Sequence, residues 1–207
     1  RFFPCKKRRK KVVRELTKYY QVSDKSKLRS LLINRRIAMG SELVYSKSMN
    51  LTKFFLETIS EDDSLFSIAL YYPIKSEVDT KEIHKELLRL NKTLFYPKII
   101  GNRIEFVEPK DPKDFSKGKF NIMEPNTNHF IDCNEIDLFV VPSVAVGSSG
   151  KRLGYGGGFY DKALSSIDKK RICSIIYDFQ LIHGFNGEKH DIQVSKVFTD
   201  KGFLHIN

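Results

Sequence analysis

The residues best suited to chemistry lie in VVPSVAVGSSGKRLGYGGGFYDKAL, residues 140–164, which holds six of the twelve glycines: Gly147, Gly150, Gly154, Gly156, Gly157 and Gly158. A continuous apolar run, EIDLFVVP (135–142), feeds this stretch, and the spacing predicts a short helix over 159–167. A buried strand leading through glycines into a helix puts the loop beyond the carboxyl end of a sheet, where open α/β folds bind ligands. Glycines let backbone N–H groups crowd onto an anion, and the helix N-terminus adds a positive dipole. The chemistry indicated is phosphate binding. Lys151 and Arg152 stand beside the glycines as cationic clamps, Asp161 offers a carboxylate to Mg²⁺, and Tyr155, Phe159 and Tyr160 offer aromatic faces to a planar ligand. The competing reading is a glycine-rich surface turn.

Named motifs do not fit. Walker A fails because Ala145 stands five residues before Gly150-Lys151 and Arg152 follows; the dinucleotide pattern begun at Gly154 meets Phe159 where it needs glycine. GSSG (147–150) is no nucleophile elbow.

The elements that must position this loop read as an α/β domain. Ser23 or Asp24 caps a predicted helix running to Met39, with Leu28, Leu31, Leu32 and Ile37 on its apolar side and Lys25, Lys27, Arg29, Arg35 and Arg36 mostly on the other. A second amphipathic helix spans 42–59, carrying Leu43, Val44, Met49, Phe54, Phe55 and Ile59. Strands are predicted at 64–72, 93–100, 103–108, 135–142, 171–178 and 194–199, a helix at 79–91, and a long irregular connection at 109–135. This alternation gives a three-layer α/β/α domain with a mostly parallel central sheet and a helical N-terminal region.

Charge divides the chain. Of 36 Lys+Arg and 25 Asp+Glu, residues 1–23 hold nine basic side chains and one acid, Glu15, a net of +8, including the run KKRRKK (6–11). The net charge of +11 therefore describes an N-terminal extension (1–23), set apart from one domain over 24–207, and a basic globular body is excluded. No stretch reaches the ~18 apolar residues of a membrane span, and the opening residues lack the apolar run of a secretory signal. Cys5, Cys133 and Cys173 form no CxxC pair, so a disulfide framework is not expected and a cytoplasmic setting is.

GKRLGYGGGFYD (150–161), preceded by VVP (140–142), resembles the RLGxGxGYYD signature of the 5-formyltetrahydrofolate cyclo-ligases, also called 5,10-methenyltetrahydrofolate synthetases. The resemblance covers about residues 25–200: Lys25, Leu28 and Arg29 match the family's first helix, IALYYPIKSEVDTKEI (68–83) its middle strand and turn, FNIMEP (120–125) its Asn-Ile-x-Glu-Pro segment, and His190-Asp191 its late His-Asp. It implies a monomeric, ATP- and Mg²⁺-dependent enzyme that closes 5-formyltetrahydrofolate, with or without a polyglutamate tail, to the 5,10-methenyl form. By the same resemblance Lys25, Arg29 and the loop Arg152, Leu153, Gly154, Tyr155, Gly156, Gly157, Gly158, Phe159 and Tyr160 take ATP, with Arg152 catalytic. Glu77, Phe120 and Tyr155 to Phe159 take folate, and Asp161 and Asp191 take the metal. Without it, Lys25 and Arg29 read as a solvated face, Glu77 as a helix-start acid and Phe120 as packing. Ser143, Val146-Gly147, Phe159 and Phe120 depart from the family pattern. Two alternatives remain: a nucleic-acid binder using the basic tail, and a folate or nucleotide binder without turnover.

Overall fold

The computed structural model describes residues 24–109, 111 and 114–206; the basic extension, KKRRKK and Cys5 lie outside the described residues. The Asp24 carboxylate caps helix α1 (Lys25–Ile37), accepting from the Ser26 and Lys27 backbone N–H groups at 2.9 and 3.1 Å. What α1 buries is a stripe at every fourth residue: Leu28, Leu32 and Arg36. Here the expected polar face is corrected, because Arg36 is 1% exposed whereas Leu31 and Ile37 are 38% and 52% exposed. The four-residue spacing puts Arg36 on the face of Leu28 and Leu32, and buried oxygens await its guanidinium there. Helix α2 (Ser41–Ser60) likewise buries Leu51, Phe55 and Ile59, while the expected Leu43 and Met49 are exposed.

The strands follow as β1 (Ser67–Ala69), β2 (Thr93–Ile100), β3 (Arg103–Val107), β4 (Phe115–Lys117), β5 (Met123–Pro125) and β6 (Phe130–Ile131). After them come β7 (Leu138–Val141), β8 (Ala145–Gly147), β9 (Arg152–Leu153), β10 (Ile172–Ile175), β11 (Leu181–Ile182), β12 (Lys196–Thr199) and β13 (Gly202–His205). Helix α3 (Lys81–Arg89) lies between β1 and β2, and α4 (Phe159–Ala163) between β9 and β10. Eight strands form the central sheet in the order β13-β12-β10-β7-β1-β2-β3-β6. The five inner strands from β12 to β2 pair in parallel, and antiparallel strands close both edges.

Strict alternation divides the core between the two faces. On β7, Leu138 and Val140 share a cluster with Leu51, Phe55 and Ile59 of α2 and Ile83 and Leu87 of α3, whereas Phe139 and Val141 share one with Leu164 and Ile167 just beyond α4. A third cluster packs Leu28 and Leu32 of α1 on Val144, Ala145 and Leu153. The mostly parallel α/β architecture is as expected, with two differences. Residues 109–135 are not irregular throughout, since β4 and β5 pair as a hairpin and β6 joins the main sheet. The helix expected over 159–167 stops at Ala163.

Candidate functional site

The glycine-rich stretch does two jobs. Its first half folds into the antiparallel pair β8–β9, extended by β11 to a small three-stranded sheet. There Gly147 permits close approach, because a Cβ would lie 1.9 Å from the Phe185 carbonyl oxygen. Lys151 belongs to this framework rather than to a phosphate clamp. Its ammonium donates to the backbone carbonyls of Asp191 at 2.6 Å and Lys189 at 3.4 Å, pinning the loop before β12. The anion-binding expectation at Lys151 is corrected accordingly. Gly154, Gly156, Gly157 and Gly158, by contrast, line a cavity of about 640 Å³.

That cavity gathers every site residue that the family resemblance implies. Lys25 and Arg29 reach it from α1, Glu77 from the turn after β1, and Phe120 from the tip of the β4–β5 hairpin. Arg152 through Asp161 form the glycine wall, and Asp191 comes from the loop before β12. The volume is in the ordinary range for a small-molecule site.

At one end the wall is ionic. The Lys25 ammonium lies 2.7 Å from Asp191 Oδ2 and 3.0 Å from Glu188 Oε1. Burial works to raise the Asp191 carboxyl, but hydrogen bonds from Lys25 and the Glu188 backbone N–H outweigh it and hold the group below its ordinary value. Arg152 is 3% exposed; its Nη1 donates to the Pro142 carbonyl at 2.8 Å and its Nη2 to Asp161 at 3.2 and 3.3 Å, while its Nε is buried without a partner. Arg29 Nε donates to the Gly154 carbonyl at 2.7 Å, which braces the loop from α1.

Beside it stands a buried cluster the sequence did not disclose. Arg36 Nε donates to the Lys75 carbonyl at 2.9 Å, and its Nη2 contacts the Tyr155 hydroxyl and lies 3.7 Å from Glu77 Oε1. Tyr155 donates to Glu77 Oε1 at 3.1 Å, and the Ile74 N–H to Glu77 Oε2 at 2.9 Å. Burial pushes the Glu77 carboxyl up, with the Arg36 charge opposing it. Lys75 and Ser76 have φ of +47° and +56°, so the turn that delivers Glu77 is strained and held by these bonds. Only the 28–32–36 spacing signalled Arg36.

The far end is apolar. Tyr72, Pro97, Ile99, Ile104 and Ile122 line it. Phe120, 65% exposed and at φ +60°, meets the Phe159 ring edge to face at 6.0 Å. A protruding aromatic in a conformation that bulky residues avoid offers a stacking face for a planar ligand.

The family model for 5-formyltetrahydrofolate cyclo-ligases matches residues 21–200. The chain belongs to the 5-formyltetrahydrofolate cyclo-ligase family. The family's Mycoplasma genitalium 5-formyltetrahydrofolate cyclo-ligase is 27% identical over 180 residues, covering 86% of this chain and 98% of that protein. The Haemophilus influenzae enzyme of the same name is 29% identical over 140 residues, 64% of this chain and 75% of that one. Among solved structures, the Aquifex aeolicus 5,10-methenyltetrahydrofolate synthetase has a TM-score of 0.78 at 32% identity, covering 88% of this chain and 93% of that one. Against the cyclo-ligase pattern, Ser143 is a tolerated departure: it is buried and its hydroxyl accepts from Ser174 at 2.7 Å, beneath the site rather than in it.

Proposed function

We propose that the chain is a 5-formyltetrahydrofolate cyclo-ligase, converting 5-formyltetrahydrofolate and ATP to 5,10-methenyltetrahydrofolate, ADP and phosphate. The observation that carries the reading is the convergence on one cavity of an ionic, glycine-walled end and an apolar, aromatic end. The first suits a triphosphate and the second a reduced pterin with its aryl tail. Lys25, Arg29 and Arg152 hold the phosphates, with the loop from Leu153 to Tyr160 wrapped around them. Arg152 steadies the phosphoryl group as it passes to the formyl oxygen, a step governed by positioning and charge. Glu77, Phe120 and the loop from Tyr155 to Phe159 orient the folate. The secondary-amine nitrogen N10 then attacks the activated carbon, and phosphate leaves.

Magnesium fits this donor set as a companion of the nucleotide. Among the described residues no cluster of three or more His, Cys, Asp or Glu side chains is arranged to hold a metal alone. Asp161 and Asp191 supply two hard carboxylates to the same cavity, and Mg²⁺ in phosphate sites takes one or two carboxylates together with phosphate oxygens and water. Bound there, the ion would neutralise charge on the β- and γ-phosphates. Chelation with EDTA is expected to stop turnover and to weaken ATP binding by calorimetry; unchanged ATP affinity would remove Asp161 and Asp191 from the metal role. A monomeric, cytoplasmic protein goes with this reading.

Mixing the protein with 5-formyltetrahydrofolate, ATP and Mg²⁺ and following methenyl absorbance tests the proposal, and absence of product from ligand-competent protein rejects it. Phe120→Ala is expected to raise KM for the folate by about tenfold, the worth of one stacking contact, with little change in melting temperature because the ring is largely exposed. An unchanged KM would return Phe120 to a packing role.

A further inference from the structure

Glu124 is a buried carboxylate on the wall of the cavity, and one of its oxygens has no partner. It lies on β5 and is 7% exposed, and its Oε1 has no hydrogen-bond partner. Gly118, at the start of the hairpin tip, leaves the space it fills: a Cβ there would sit 2.3 Å from the Glu124 carboxyl carbon. A buried acceptor without a donor is rare in folded proteins and calls for one from outside.

The charged groups on the elements around Glu124 do not satisfy it. Lys98 on β2 commits its ammonium to the Thr127 carbonyl and Asn128 Oδ1, each at 2.8 Å, Lys119 commits its own to the Gly101 carbonyl at 3.0 Å, and Lys117 on β4 is exposed. Burial pushes the Glu124 carboxyl up, with the Ile99 backbone N–H and the Lys98 charge opposing. The other carboxylates on the cavity wall are engaged: Glu77 by Tyr155 and the Ile74 N–H, Asp161 by Arg152, Asp191 and Glu188 by Lys25.

Ring closure has to release a proton. The N10 lone pair forms a bond to the carbon of the phosphorylated formyl group. The N10–H bond breaks with its electrons staying on nitrogen, and the carbon–oxygen bond breaks with its pair leaving on phosphate. We propose that Glu124 Oε1 accepts a hydrogen bond from N10–H of bound 5-formyltetrahydrofolate and takes that proton as the ring closes. The inference rests on the cyclo-ligase reading. Pro97, Ile99 and Ile122, which line the cavity on β2 and just ahead of β5, give the aryl group joined to N10 an apolar seat and keep water from competing. The base acts only when ionised, so kcat falls as pH drops through its raised pKa.

The test uses the full chain with 5-formyltetrahydrofolate, ATP and Mg²⁺. Glu124→Gln keeps the shape and removes the base, and is expected to lower kcat by about 10²–10⁴. KM should hold within about threefold. In a rapid quench the variant still forms ADP in its first turnover while methenyl product lags, and the acid limb of the pH–rate profile disappears. Glu124→Asp restores part of the rate with a displaced limb. Gly118→Ala displaces the carboxyl without touching a titratable group and also lowers kcat. If Glu124→Gln keeps near-normal kcat, loses only KM, or loses ADP formation along with product, Glu124 is not the base. A wild-type protein without turnover overturns the cyclo-ligase reading as well, whereas a wild-type rate matched by Glu124→Gln overturns this inference alone.

Discussion

Arg152→Lys is expected to lower kcat by about 10²–10³ with the fold in place. The guanidinium serves two places at once: the Pro142 carbonyl at the end of β7 and both oxygens of Asp161 on α4, while its Nε is buried without a partner. It also lies 5.3 Å from the Tyr160 ring centre. A lysine ammonium supplies the charge but not the planar fork, so it cannot brace β7 and α4 together. Arg152→Ala would be harder to interpret, because it also leaves Asp161 unpaired; pairing it with Asp161→Asn separates the two effects. Steady-state kinetics with ATP varied decides the matter, and a lysine variant turning over within about threefold of wild type would show that charge alone suffices.

The second large effect concerns stability. Arg36→Met is expected to destabilise the protein by about 3–5 kcal/mol, the usual cost of breaking a buried ion pair by removing one partner. The side chains of Arg36 and Glu77 are 1% and 4% exposed, so water cannot replace the lost partner. Removing Arg36 also frees the Lys75 carbonyl, which anchors the turn with two left-handed residues. At this chain length about 2–4 °C of melting temperature accompanies each kcal/mol, so calorimetry reads the effect directly. Adding Glu77→Gln removes the stranded charge and should recover a large part of the loss, a coupling that a simple packing defect would not show. Equal melting temperatures for Arg36→Met alone and with Glu77→Gln would mean the pair is not the source.

The sheet was legible because buried parallel strands write continuous apolar runs: EIDLFVVP and RICSIIYD mark β7 and β10, although each ladder is shorter than its run. The β4–β5 hairpin was not, since its two short strands carry Lys117 and Glu124 where a pattern would need apolar residues, and its tip depends on left-handed Phe120 and Asn121. The cavity's residues were legible through one dense motif and its resemblance. Residue types alone left Lys25, Arg29 and Phe120 indistinguishable from other cations and aromatics. Arg36 and Glu124 escaped for a different reason: a charged residue reads as surface unless its burial is known, and both lie below a tenth exposed. Lys151 misled in the opposite sense, because adjacency to Arg152 along β8–β9 places alternate side chains on opposite faces.

The bond from Lys25 to Asp191 joins residues 166 apart in the chain, and Arg29 to Gly154 another 125 apart. Helix α1 is therefore synthesised well before its seat, which is built from residues between 144 and 191. Until then its stripe of Leu28 and Leu32 stays exposed, and its capped, locally stable turn waits as an orphan. The entropic cost of closing so long a loop grows only slowly with length, so what the topology penalises is speed rather than final stability. Until that seat has formed, the cavity lacks the wall that Lys25 and Arg29 supply.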